Sequence, residues 1–169
     1  MRAAEARDAD AIAAIYNQGI EERQATFQTR PHCAEDFLHR IEGERPFLVA
    51  EANGELAGWA AVLPYSDPAP YYVGVGEATM YVARTARRQG VGGRLLTELA
   101  QAAERSGFYK LVGKIFTSNR ASIELITGIG FQEVGIHRRH GRLDGEWKDV
   151  LVVELLLGEA PSEVGPVGV

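Results

Sequence analysis

The sequence predicts a single α/β domain, a central twisted mixed sheet of about seven strands flanked by about four helices. Three observations predict it. The 169 residues, 46% hydrophobic and 24% charged, suit one folded unit around one core. Strand-like and helical segments follow in the order strand, two helices, a hairpin-like meander, then strand, helix, strand, helix, strand, strand, the pattern of helices packed on a sheet. Near the middle, a β-branched and aromatic strand over 77–82 runs through a basic, glycine-rich turn into an amphipathic helix with Leu95, Leu96 and Leu99 on one face.

Residues 1–6 give a short first strand. Asp8 is a good N-cap for a helix over 9–19, with Ile12, Ile15 and Tyr16 as its apolar stripe and Gly19 near its end. Residues 21–31 lack helical periodicity and read as a loop. Residues 34–42 form a second helix with Phe37, Leu38 and Ile41 inward. Phe47 to Ala52 is a strand, Asn53-Gly54 a hairpin turn, and Glu55 to Tyr65 the returning strand with Trp59 in the core. Residues 64–74 carry three prolines, so they form a loop that ends at the 77–82 strand and is placed to contact a substrate; Tyr72 is the candidate contact. The helix after Gly90 runs to about Ser106, where Gly107 stops it. Lys110 to Phe116 is a strand. Ser118 or Asn119 caps a helix over 119–128, with Ile123, Ile126 and Ile129 apolar and Gly130 closing it. Phe131 to Arg138 is a strand, 139–145 a polar turn, and Glu146 to Leu157 the last strand. Residues 158–169 mix Pro, Gly, Ser and Glu and read as a disordered tail, which leaves 1–157 as the domain.

The net charge of −5 argues against general nucleic-acid binding. Cys33, the single cysteine, has no internal disulfide partner, which agrees with a reducing cytoplasm. No apolar run reaches the ~20 residues needed to span a bilayer, and the N-terminus lacks the apolar core of a signal peptide. No Cys/His cluster has metal-ligand spacing, so no metal is expected. His32 and His39 read as surface groups.

The junction over 84–94 points to a phosphate group. The first amides of a helix have no intrahelical partner and sit at the positive end of its dipole. Gly90, Gly92 and Gly93 let an anion approach the backbone, and Arg87 and Arg88 add fork-shaped positive charge. The alternative is a glycine-rich turn with solvated arginines. No Gly-Lys-Ser/Thr follows, so it is not a nucleotide P-loop, and no Gly-x-Gly-x-x-Gly follows the strand. Glu77, at the start of the preceding strand, is either a general base or an ordinary strand-end carboxylate.

The segment Arg87-Arg88-Gln89-Gly90-Val91-Gly92-Gly93-Arg94 resembles the coenzyme A-binding motif of the GNAT acetyltransferase superfamily, Arg/Gln-x-x-Gly-x-Gly/Ala. Glu77 before Ala-Thr-Met-Tyr-Val, then Asn119-Arg120-Ala121-Ser122, Gly130-Phe131, and the ending 141–150 resemble, in order, the phosphinothricin and arsinothricin N-acetyltransferase branch. The resemblance covers about residues 2–157. It implies the GNAT fold, acetyl-CoA as co-substrate, a small-molecule amine as acceptor, and a homodimer. It implies that Glu77 takes the ammonium proton, that the backbone of Tyr81 and Val82 pairs with the pantetheine arm, that residues 87–94 hold the pyrophosphate, and that Asn119 contacts the pantetheine besides capping its helix. By the same resemblance the 21–31 loop lies over the acceptor, where Phe27 either touches substrate or anchors the loop. His137 and His140 flank Arg138-Arg139 near the mouth of the site, and His137 is a candidate substrate contact.

Two departures matter. The family's tyrosine or histidine seven residues after the helix-starting asparagine is Ile126 here, so solvent would protonate the leaving thiolate. Residues 66–76 lack the arginine that related enzymes carry before the glutamate, so either an amino-acid acceptor has its acid group held elsewhere or the acceptor is less anionic than phosphinothricin. Acetylation of a polyamine, an aminoglycoside or a protein N-terminus, and a CoA-binding module without turnover, stand as alternatives to acetylation of a small amino acid or amino-acid-like toxin.

Overall fold

The structure, a computed structural model, describes residues 1–65 and 69–158. Part of the 64–74 loop, at 66–68, and the tail at 159–169 expected to be disordered lie outside the described residues. Strands β1 (Arg2–Ala3), β2 (Phe47–Ala52), β3 (Glu55–Pro64), β4 (Val75–Val82), β5 (Lys110–Phe116), β6 (Gln132–Leu143) and β7 (Glu146–Leu156) form a seven-stranded sheet in the order β1-β2-β3-β4-β5-β7-β6. Every neighbouring pair is antiparallel except β4 and β5. A parallel pair needs a crossover, and the helix α3 (Val91–Arg105) supplies it. The other helices are α1 (Ala9–Glu22), α2 (Glu35–Ile41) and α4 (Arg120–Gly128). No helix among the described residues is long and apolar enough to cross a membrane.

Strand alternation assigns the helices to faces. Trp59 and Gly58 are successive residues of β3 and so point oppositely. The Trp59 ring lies against Phe37 of α2 and donates its indole N–H to the Ile12 carbonyl of α1 at 3.2 Å. A Cβ on Gly58 would meet Leu95 of α3 at 3.1 Å. The two sides meet in one core, with Ile12, Trp59, Leu95, Leu99 and Leu111 at most 2% exposed.

Two boundaries differ from expectation. Helix α1 continues past Gly19 to Glu22, because Ile20 extends the buried stripe. Arg23, at φ 57°, ends it as a left-handed cap whose N–H donates to the Ile20 carbonyl. The 139–145 turn is largely strand. β6 continues to Leu143, and the chain reverses at Asp144-Gly145, both at positive φ as a two-residue hairpin demands. A register shift between His137 and Gly141, with Arg139 at φ 49°, takes up the irregular stretch.

Asp8 precedes α1 but does not cap it with its side chain. Its carboxylate accepts the Glu5 N–H at 2.8 Å and both guanidinium nitrogens of Arg2 at 2.7 and 2.8 Å. The carboxyl is held below the usual aspartate range, chiefly by the Arg2 hydrogen bonds, and the residue is 4% exposed. The native carboxylate therefore binds a proton more weakly than the unfolded one. Its stabilisation is complete above the unfolded value of about 3.9 and is lost as pH falls below it toward the native value. In urea melts, Asp8→Asn is expected to lower stability at neutral pH and to shrink the further loss on acidification below about pH 4.

Candidate functional site

The site begins where two strands part. β4 and β5 are paired only from Val75–Lys110 through Glu77–Val112. Beyond that point the strands diverge, while β4 stays paired to β3 as far as Val82 and β5 to β7 as far as Phe116. The wedge between them is hollow. A small cavity of about 80 Å³ lies between Thr79 of β4 and Lys114 and Phe116 of β5, against Ile126 of α4. It adjoins a cleft of about 480 Å³ that runs past Tyr81 and Val82 to Gly90, Val91 and Gly92 at the start of α3. Met80, Asn119 and Ser122 line both.

At the far end of the cleft, Gly90 occupies the N-cap of α3 at φ 76° with no side chain to fold back on the first turn. The helical hydrogen bonding begins with the Arg94 N–H on the Gly90 carbonyl at 3.2 Å, so the N–H groups of Val91, Gly92 and Gly93 precede it. Gly92 packs closely: a Cβ there would meet Leu125 at 3.1 Å and the Met80 sulfur at 3.2 Å, so those side chains would have to shift. Arg88, at φ 61°, lines the cleft. Arg87 lines it too, but its guanidinium is engaged, donating to the Val82 carbonyl at 3.2 Å and pairing with Glu22 of α1 at 2.9 Å. Arg84 reaches the same carboxylate at 2.7 Å. Burial pushes Glu22 up, yet the two guanidiniums outweigh it and hold the carboxyl below its usual value. Gln89 turns back to donate to the Thr85 carbonyl at 2.9 Å, and Gly93 and Arg94 continue along α3 beyond the cleft wall.

Tyr81 stacks on Trp59 at 5.0 Å and meets Tyr16 edge-on at 4.8 Å. Burial, then the neighbouring Tyr16, pushes its hydroxyl well above the usual tyrosine value. That hydroxyl donates to the Ala25 carbonyl at 3.4 Å. Asn119 caps α4, its side-chain oxygen accepting the Ser122 N–H, and its amide nitrogen donates to the Gln24 carbonyl, both at 3.2 Å. The loop after α1 is thus pinned over the wedge. Phe27 anchors it further on, packing edge-on against Phe116 at 4.7 Å beside Leu143 and Val150.

At the near end, where the strands first part, Glu77 faces the same side as Thr79 and Tyr81. Its carboxylate accepts the Lys114 ammonium at 2.7 Å, with the side chains 23% and 33% exposed. Lys114 is the residue that sequence reasoning passed over; the signal was a second lysine in an otherwise apolar strand, two residues beyond the paired segment. Tyr72 sits just before β4, edge-on to Tyr65 at 5.1 Å and Tyr71 at 4.7 Å. His137 is exposed on β6 opposite Val150 and stacks on His140 at 4.8 Å. The structure therefore joins Tyr81, Val82, Arg87, Arg88, Gly90, Val91, Gly92 and Asn119 around one cleft; Gln89, Gly93 and Arg94 lie outside its lining, and Glu77 stands outside it too, at the last position of β4 paired to β5, where the strands begin to part. No three His, Cys, Asp or Glu side chains among the described residues are grouped to hold a metal.

The model of the acetyltransferase (GNAT) domain family matches residues 1–152. A phosphinothricin N-acetyltransferase of Streptomyces viridochromogenes is 34% identical over 153 residues, 89% of this chain and 83% of that protein. An L-methionine sulfoximine/L-methionine sulfone acetyltransferase of Pseudomonas aeruginosa is 32% identical over 169 residues, 96% of each. The crystal structure of a GNAT superfamily phosphinothricin acetyltransferase from Sinorhizobium meliloti in complex with acetyl-CoA superimposes with a TM-score of 0.88 at 26% identity, covering 96% of this chain and 90% of that one.

Proposed function

The chain belongs to the GNAT acetyltransferase family, and we propose that it transfers acetyl from acetyl-CoA to the α-amine of a small amino acid or amino-acid-like toxin, with Glu77 as general base. The observation that carries the reading is the wedge: one strand, β4, has a carboxylate at its tip and an open helix N-terminus beyond its other end. At about 3.3 Å per residue, Glu77 and Val82 lie roughly 16 Å apart along the strand. An extended pantetheine arm fills that span, pairing with the unpaired edge of β4, while the pyrophosphate meets the first amides of α3 and Arg88. Arg87, tied to Glu22 and Val82, shapes the turn more than it contacts phosphate.

The thioester then lies near Glu77. A free α-amine is mostly ammonium at neutral pH, since even a peptide terminus titrates at about 7.7–8.0. Glu77 takes the proton directly or through a water, the amine nitrogen attacks the acetyl carbon, and backbone N–H groups of β4 hold the oxyanion. The C–S bond breaks, the amide forms as the attacking nitrogen gives up its second proton to water, and the thiolate takes a proton from solvent. Ile126 stands where a proton donor would, 6% exposed and packed toward Gly113. The acceptors named for the two relatives, phosphinothricin and methionine sulfoximine or sulfone, support an amino-acid-like substrate. A cytoplasmic location agrees with the single thiol, and exposed Val134, Ile136 and Trp147 on the β6–β7 hairpin support a homodimer.

The test is acetyl-CoA consumption, read as free thiol, against phosphinothricin, methionine sulfoximine, methionine sulfone, common amino acids, a polyamine and a short peptide. Turnover on an amino-acid analogue is expected. Turnover confined to the polyamine or peptide overturns the acceptor class, and acetyl-CoA binding without turnover on any amine leaves a non-catalytic module.

A further inference from the structure

Resting on that reading, we infer that Lys114 is the anchor for the acceptor's α-carboxylate, and that the Glu77–Lys114 ion pair is a mould for an amino-acid zwitterion. Four observations lead there. Lys110, Val112, Lys114 and Phe116 share one face of β5. Lys110 is used structurally, pairing with Glu154 on the adjacent β7 at 2.7 Å. Lys114 instead reaches Glu77, across the line where β4 and β5 begin to part, and lines the cavity at the tip of the wedge. Residues 64–76 contain no arginine or lysine, so this loop brings no cation to hold a carboxylate.

The chemistry of the pair matches the ligand. An α-amino acid carries its ammonium and carboxylate on one carbon. Glu77 and Lys114 offer the opposite charges side by side, 2.7 Å apart. A zwitterion entering between them brings its ammonium to Glu77 and its carboxylate to Lys114, so each side chain trades its contact with the other for the opposite charge of the ligand. A partly exposed contact between two such charges stabilises little, so little is lost in giving it up. The ammonium is thereby placed on the base that must deprotonate it. After transfer the product keeps its carboxylate but has lost the ammonium. Once Glu77 has returned its proton to water, its carboxylate competes with the product for Lys114, which favours release. A polyamine, or an amino-acid amide, brings positive charge without the compensating anion and sets an ammonium beside Lys114, so it is disfavoured.

The experiment compares kcat/KM for L-methionine sulfone and its α-carboxamide in the wild type, Lys114→Gln and Lys114→Arg. The wild type is expected to prefer the acid by about tenfold or more, mainly through KM, and Lys114→Gln to collapse that preference by about tenfold. Lys114→Arg, which keeps a carboxylate-binding cation, is expected to restore most of it. A merely structural lysine would change both acceptors in step, so an unchanged acid-to-amide ratio in Lys114→Gln overturns the inference while leaving the acetyltransferase reading intact. Equal use of acid and amide by the wild type also overturns it, whether or not the variants fold. Wild-type turnover of polyamine or peptide alone removes the amino-acid reading itself, and this inference with it.

Discussion

Glu77→Gln is expected to lower kcat/KM for the preferred acceptor by about 10²–10⁴-fold, the usual contribution of a positioned general base. Glutamine is nearly isosteric and still occupies the tip of the wedge. It cannot accept the ammonium proton, and it gives up the ion pair with Lys114. The cleft proposed to hold acetyl-CoA lies further along β4, so acetyl-CoA affinity, read by titration calorimetry, is expected to stay within about threefold of wild type. The variant's rate should climb with pH as solution delivers amine already deprotonated, whereas a variant that had lost its fold would show no such recovery. A loss below about tenfold, or a parallel loss of acetyl-CoA binding, would remove Glu77 from the role of base.

Trp59→Ala is expected to cost about 3–5 kcal/mol of stability, a large share of the ~5–15 kcal/mol typical of a folded domain. Trp59 is 2% exposed and packs with Phe37, Phe47 and Tyr81 at ring-centroid distances of 5.8, 5.3 and 5.0 Å. It ties α1, α2, β2 and β4 into one layer. Truncation leaves a cavity under Tyr81, whose stacking on Trp59 backs the wall of the cleft proposed for the cofactor. Acetyl-CoA affinity should therefore fall along with the urea midpoint. Trp59→Phe, which keeps an aromatic ring in the cluster, should fall between the two proteins. A Trp59→Ala penalty under about 1 kcal/mol would mean that the core is not organised around this ring.

Elements carried by local signals were legible in the sequence. The Asn53-Gly54 turn and its flanking strands, β5, α3 after Gly90 and the Asn119 cap all lie where short-range chemistry puts them. Local signals also misled. Gly19 suggested the end of α1, but burial of Ile20 carries the helix one turn further. The polar run at 139–145 read as turn throughout, but only Asp144-Gly145 reverses the chain and β6 continues to Leu143. Asp8 had the residue type of a cap, yet Arg2 and the Glu5 amide claimed its carboxylate. What the chain order could not display was non-local. Lys114 meets Glu77 across 37 residues, and Arg87 meets Glu22 across 65. The first contact depends on the parallel β4–β5 pair and on where its ladder stops, the second on α1 lying beside β4.

The measurement that tests the central claim most directly is a crystal structure of the full chain with acetyl-CoA. The pantetheine arm is expected between β4 and β5, the pyrophosphate on the amides of residues 91–93, and the acetyl group at the tip of the wedge beside Glu77 and Lys114. Acetyl-CoA bound elsewhere, or with its acetyl group far from Glu77, would contradict it.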